Sequence, residues 1–347
     1  MRRLRASSRT TATAVLRQAL EAMERPASRG EVALDSASAA PQAAAGTFVL
    51  GTFSNPAGRR AYKLYVPRGC HGQALPLVVM LHGCRQDADD FAAGTGMNLL
   101  ADRVHCLVLY PQQERGANGA NCWNWFGPAH QAGAGGEPAI LAGMTRQVIH
   151  EHGADPDRVY VAGLSAGGAM AAILAGAFPD LYAAVGIHSG LPAGAARDAA
   201  SAFAVMKDAS KAGVLPPYRR SVPAIVFHGD RDRTVAPANG RAALAQSMAL
   251  QADVDGTLRW RGKVETVPGI SGAGRGYTRK IYRDGDGRVV AEHWQVHGAG
   301  HAWSGGRQAG SFTDSKGPDA SGEMVRFFLE HPRSPAAAPA IELEKIQ

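Results

Sequence analysis

Short apolar runs rich in β-branched residues recur along the chain at 75–81, 106–111, 158–162, 183–188 and 224–229. They lack polar alternation, which is the pattern of strands buried on both faces in the middle of a parallel sheet. Two flanking pairs differ. Residues 47–50 and 60–67 read as paired strands across the turn Asn55-Pro56-Ala57-Gly58, and 277–283 with 288–296 read as a hairpin closed by Asp284-Gly285-Asp286-Gly287. Helical spacing runs over 87–102, from Glu137-Pro138 through Ile140, Met144 and Val148 to Gly153, over 166–177, around 196–213 and over 321–330. Strands alternating with helices predict an α/β fold with a mostly parallel central sheet flanked by helices.

One long connection interrupts this rhythm. Residues 112–136 are Gly-rich yet carry Cys122-Trp123-Asn124-Trp125-Phe126, and loops of that length in compact domains usually serve a function. The folded domain is expected over 46–333. Ahead of it, Val15, Leu16, Ala19, Leu20 and Met23 space residues 1–24 as a basic amphipathic helix, and 25–45 read as an Ala-, Ser- and Pro-rich linker; 334–347 read as a loose tail.

At 347 residues and 45% hydrophobic, the chain can bury a sizeable core in one large domain. The formal charge is +7, but residues 1–30 hold seven arginines against Glu21 and Glu24, so most of the basicity belongs to that stretch. No nucleic-acid partner is expected from such a balance. The basic start fits the first region of a signal peptide, yet Arg17, Glu21 and Glu24 interrupt what would be its apolar core, and a surface helix is the expectation. No run of 18 apolar residues occurs, hence no transmembrane segment is expected. Cys70, Cys84, Cys106 and Cys122 include no Cys-x-x-Cys pair, which disfavours zinc; neither a metal nor an organic cofactor is expected.

The chemistry concentrates at Gly163-Leu164-Ser165-Ala166-Gly167, where an apolar run turns at once into a helix of small residues. Such a turn presents its serine at the carboxyl end of the strand and needs glycines where strand and helix approach closely. The hydroxyl requires a base to take its proton, and the base requires a carboxylate to orient it. In chain order after Ser165 come Asp232, in the loop leaving the 224–229 run, and His301, among glycines after the last long strand; together they form the expected triad. Asp230, the rival acid, is expected to close the turn through nearby backbone N–H groups, and His188 and His228 to be structural. One oxyanion-hole donor is expected from Ala166 and the other from Cys84 or Gly83, after the 77–81 strand. Trp123, Trp125 and Phe126, with Trp303 beside the base, offer flat apolar surface to an aliphatic or aromatic acyl group.

These motifs jointly resemble the polyhydroxybutyrate (PHB) depolymerase family of esterases, catalytic domain type 1. The resemblance covers roughly residues 46–333 and is carried by Leu81-His82-Gly83-Cys84, Val108-Leu109-Tyr110-Pro111, Asn121-Cys122-Trp123-Asn124-Trp125-Phe126, the Ser165 turn, His228-Gly229-Asp230-Arg231-Asp232 and Gly298-Ala299-Gly300-His301-Ala302-Trp303. It implies an α/β-hydrolase fold, a Ser165, Asp232, His301 triad, an oxyanion hole from Cys84 and Ala166, and a crevice wall from the Trp123 loop. It also implies a Cys84–Cys122 disulfide, with Cys70 and Cys106 unpaired or paired with each other. Such a bridge belongs outside the cytoplasm, so an extracellular or periplasmic protein is expected. The implied activity is hydrolysis of short-chain 3-hydroxyalkanoate esters through an acyl-enzyme. Feruloyl or acetylated xylan esters, substrates of bordering branches, are the alternative; a non-catalytic binding module on the same scaffold is the alternative of another class.

Overall fold

The computed structural model describes residues 46–333 except 71, 134, 249–259 and 261; the expected basic helix, the linker of 25–45 and the tail of 334–347 lie outside the described residues. β1 (Thr47–Asn55) and β2 (Gly58–Val66) form an antiparallel hairpin on the flank of the sheet. The five apolar runs become β3 (Leu77–Leu81), β4 (Leu107–Pro111), β5 (Val159–Leu164), β6 (Ala184–His188) and β7 (Ala224–Gly229), and every residue in them is buried. On the far flank, β8 (Lys263–Ile270), β9 (Gly276–Arg283) and β10 (Val289–Val296) complete one sheet in the order β1-β2-β4-β3-β5-β6-β7-β10-β9-β8. Pairing from β4 through β10 is parallel, so those strands end on the same side.

Helices cover both faces, which is why the central strands carry no polar alternation. α1 (Ala88–Thr95), α2 (Met97–Val104) and α7 (Ala320–Leu329) pack over Val78, Met80, Tyr160 and Phe227. The opposite face, with Leu77, Val79, Leu81 and Val161, meets α3 (Gly136–His152), α4 (Ala166–Ala177), α5 (Ala199–Lys207) and α6 (Ala238–Ser247). Each aliphatic side chain buried this way stabilises the fold by roughly 1.5–3 kcal/mol. Among the described residues, no helix is long and apolar enough to cross a membrane.

Three details depart from the sequence pattern. The helix expected over 87–102 is two helices, because Gly96 takes a left-handed φ of 63° and returns its N–H to Ala92, ending α1 and redirecting the chain. β8 and α6 were not expected. β8 is exposed along most of its length and so shows no apolar run. A two-stranded ladder of β11 (Trp303–Ser304) and β12 (Thr313–Asp314) folds the segment after β10 back over α1.

Candidate active site

Ser165 stands between β5 and α4 with φ 57° and ψ −117°, a conformation that a non-glycine residue holds only when its surroundings enforce it. The enforcement is visible. Ser165 N–H donates to His188 O (2.9 Å) at the end of neighbouring β6, and the flanking glycines are pressed between backbones. A Cβ on Gly163 would lie 2.4 Å from the Gly167 carbonyl, and one on Gly167 would lie 2.0 Å from Leu81 O. No larger residue fits either position, which is the physical content of the Gly-x-Ser-x-Gly spacing.

Asp232 follows β7 and His301 follows β10, so both loops leave the sheet on the same side as Ser165. His301 Nδ1–H donates to Asp232 Oδ2 (2.7 Å), while Asp232 Oδ1 accepts from the Thr234 and Val235 N–H groups (both 2.9 Å). Burial opposes the charge on Asp232, but facing His301 and the N–H groups of His228 and His301 outweigh it and hold the carboxyl well below the usual range. Nδ1–H donation leaves Nε2 of His301 as the basic atom; it is buried, without a hydrogen-bond partner among the described residues. Ser165 and His301 are thus not hydrogen-bonded to each other, a contact that in esterases commonly tightens only with substrate in place.

Asp230 does not close its own turn. It accepts from Gly298 N–H (2.7 Å) and lies 3.0 Å from His297 Nδ1, tying the β7 loop to the β10 loop, while Oδ1 of Asp232 does the turn-closing expected of Asp230. His188 is buried and neutral: desolvation, with His228 and His301 nearby, pushes it down to about 3. Its Nε2 accepts Ser304 N–H (2.9 Å), which orients the chain just beyond His301.

The loop after β3 abuts the serine, since a Cβ added to Gly83 would lie 3.7 Å from Ser165 Cβ. Gly83 N–H is already taken by Gln86 Oε1 (2.9 Å), which removes Gly83 from the two donors considered and leaves Cys84. The Gly83–Cys84 peptide, the next along the chain, is fixed through its carbonyl. Buried His82 accepts Gln113 N–H at Nε2 (3.1 Å), so its proton sits on Nδ1 and is donated to Gly83 O (2.8 Å). In a trans peptide the next N–H points opposite to that carbonyl, so anchoring Gly83 O turns the Cys84 N–H the other way. Neither Cys84 N–H nor Ala166 N–H, the first of α4, donates to a protein acceptor among the described residues.

Cys84 is bonded to Cys122, joining this loop to the aromatic loop; Cys70 and Cys106 are unpaired. The aromatic loop is anchored by Glu137, 1% exposed at the start of α3, which accepts Asn124 N–H and Nδ2 (both 2.7 Å) and Gln113 Nε2 (2.5 Å), with Arg60 3.4 Å away. The expectation that Trp123, Trp125 and Trp303 present flat surface to substrate is corrected here. They are 0%, 4% and 1% exposed and pack inward: Trp123 against His82, Trp125 against Phe126, and Trp303 between His188 and Phe91. Rings this large bury 150–250 Å², and the core outbids the cleft for them.

Residues 60–267 match the model of the esterase PHB depolymerase family. The chain belongs to that family. Among relatives, poly(3-hydroxyalkanoate) depolymerase C of Paucimonas lemoignei is 33% identical over 260 residues, covering 72% of this chain and 59% of that protein. A poly(3-hydroxybutyrate) depolymerase of Ralstonia pickettii is 31% identical over 246 residues, covering 66% and 48%, so the chain spans between about half and three-fifths of these depolymerases. Feruloyl esterase B of Thermothelomyces thermophilus is 30% identical over 249 residues, covering 67% and 80%. The acetyl xylan esterase from Aspergillus awamori shares the α/β-hydrolase fold at a TM-score of 0.60 and 20% identity, covering 81% of this chain and 99% of that one.

In this member of the PHB depolymerase family, the candidate residues Ser165, Asp232 and His301 stand in legible motifs, but the side chains that hold the loops around them do not. Gln86, Gln113 and Glu137 have no motif spacing: Gln86 reaches Ser311 O, 225 positions away, and Gln113 reaches Glu137 across 24. Only a polar residue inside an apolar stretch hints at such a role, and Glu137-Pro138 at a helix start has an ordinary explanation in the helix dipole.

Proposed function

We propose that the protein is a serine carboxylesterase that hydrolyses short-chain (poly)3-hydroxyalkanoate esters through an acyl-enzyme, with Ser165 as nucleophile, His301 as base and Asp232 as the acid that orients it. The observation that carries the reading is the 2.7 Å His301–Asp232 bond, which leaves Nε2 as the free basic atom on the side of the sheet where the serine stands in its elbow. His301 Nε2 takes the Ser165 proton as Oγ attacks the ester carbon. The carbonyl π pair moves onto oxygen, which the Cys84 and Ala166 N–H groups receive. Collapse of this intermediate expels the alcohol, protonated by His301, and leaves the acyl group on Ser165; water then repeats the steps to release the acid. No metal or cofactor enters this sequence. The Cys84–Cys122 bond supports a location outside the cytoplasm, where such bonds persist.

Ser165→Ala, with folding intact by circular dichroism, is expected to lose at least about a thousandfold in kcat on a p-nitrophenyl ester. Near wild-type hydrolysis would sink the assignment. Absence of fluorophosphonate labelling in the wild-type protein would instead favour the non-catalytic binding module. A feruloyl or acetylxylan esterase is the second reading, favoured by the match to feruloyl esterase B over 80% of that protein. Comparing kcat/KM for a 3-hydroxybutyrate trimer, methyl ferulate and acetylated xylan separates the two; a fitted pocket is expected to show about a tenfold preference or more.

A further inference from the structure

Behind Asp232 lies a second histidine. His228, in β7, is fully buried, with Nε2 2.9 Å from Val235 O and 3.3 Å from Asp232 Oδ2. A carbonyl only accepts, so Nε2 carries a proton. Nδ1 is buried and has no hydrogen-bond partner among the described residues, and a second proton there would put an unpaired N–H and a charge into the core. The ring is therefore the neutral Nε2–H tautomer, its N–H aimed at Val235 and its positive edge against Oδ2.

Val235 is the residue that closes the acid's turn. Its N–H donates to Asp232 Oδ1, and its C=O is the one held by His228. Asp232 thus has Thr234 and Val235 on one oxygen, with His301 and the edge of His228 on the other. The other titratable or charged groups around this cluster are His188 on β6 and His293 on β10, with Arg241 on α6 and Lys280 on β9 acting on His293. None of them is hydrogen-bonded to the carboxylate.

We propose that His228 is a positioning residue of the catalytic centre: it clamps the 232–235 turn through the Val235 carbonyl and lays its N–H edge on Asp232 Oδ2, so that the carboxylate holds His301 in one orientation without over-binding its protonated form. The role rests on the triad reading above and goes beyond it, since the sequence expectation for His228 is a structural histidine.

The test uses two amides of different reach. Glutamine carries its NH2 to the place of Nε2, whereas asparagine stops short of it. His228→Gln is expected to keep kcat within about threefold of wild type with the acid limb of its pH profile unmoved. His228→Asn is expected to lose about tenfold in kcat with KM little changed, and its acid limb moves up by on the order of half a unit, because an unscreened Oδ2 holds the imidazolium more tightly. A merely structural role predicts that both variants lose stability while sharing the wild-type pH profile, and that result overturns the proposal. If neither variant folds, the 15N shifts of His228 in wild-type protein decide: protonated Nε2 with bare Nδ1 is expected, and the reverse tautomer overturns it. Ser165→Ala run alongside separates the failures. An active Ser165→Ala removes the triad reading itself, whereas an inactive one beside matching Gln and Asn profiles removes only His228.

Discussion

Asp232 draws its hydrogen bonds from Thr234 and Val235 in its own turn and from His301 on the loop after β10, whereas Gly83 is held by two neighbouring side chains that are themselves tied across the chain. Gln86 accepts the Gly83 N–H and is itself tied to Asp90 and Ser311; His82 donates to the Gly83 carbonyl and is set by Gln113, which Arg60 and Glu137 hold in turn. The Asp232 side leans on backbone donors of its own turn, and the Cys84 side on a buried polar network plus a disulfide. Damage to the first is expected to appear as lost rate in a folded protein. Damage to the second is expected to appear first as lost stability, because unpaired buried polar groups cost more than the contact they gave up.

The largest effect that would break this contrast is at Asp232. Asp232→Asn retains shape and the local turn but offers His301 an amide in place of a carboxylate, favouring the wrong tautomer; kcat is expected to fall by about 10³–10⁴ in a protein that still folds, with a smaller loss of stability than Glu137→Ala below. A large loss of stability would show that the acid side is structural too. Next comes Glu137→Ala, which strands Arg60, Gln113 and Asn124 without their acceptor. A loss of about 3–5 kcal/mol by urea titration is expected, with folded protein retaining measurable turnover. If stability holds while turnover vanishes, the division between the two sides is wrong.

Acid titration sharpens the comparison with a smaller, graded effect. Burial, with neighbouring charge, pushes His188 and His293 down to about 3, against an ordinary value of 6.5. Between those limits the unfolded chain binds protons that the native chain refuses, so stability is expected to fall as pH drops below about 6.5. At its steepest the loss is about 3 kcal/mol per pH unit for the two groups together. Asp232, depressed rather than raised, adds a further loss only below the ordinary carboxylate range. Urea midpoints measured from pH 7 to pH 4 check the slope; about half of it would mean that one histidine protonates in the native state, and a flat profile that both do.

What could be read beforehand followed from local physics. The 77–81 and 224–229 runs announce buried strands because both their faces are covered, and Gly163 and Gly167 announce the elbow because backbone presses on both. β8 stayed hidden because an exposed edge strand needs no apolar pattern. The aromatic loop was legible as apolar but not in its direction: Trp123 turns inward because His82 and the core beneath it lie there, a fact of tertiary placement alone. Glu137 resembles an ordinary first-turn acid until Asn124 and Gln113 are seen to converge on it.

The bond between Cys84 and Cys122 closes a loop that runs through α1, α2 and β4 and includes the exposed stretch of residues 114–117. A protease that cuts at Arg115 would therefore not release anything: the two pieces stay joined by the cross-link and by the sheet, and part only when a denaturant and a reductant act together. The same stretch is where the chain's ends could be relocated by circular permutation, since the covalent tie would keep both sides of the cut in register with the serine.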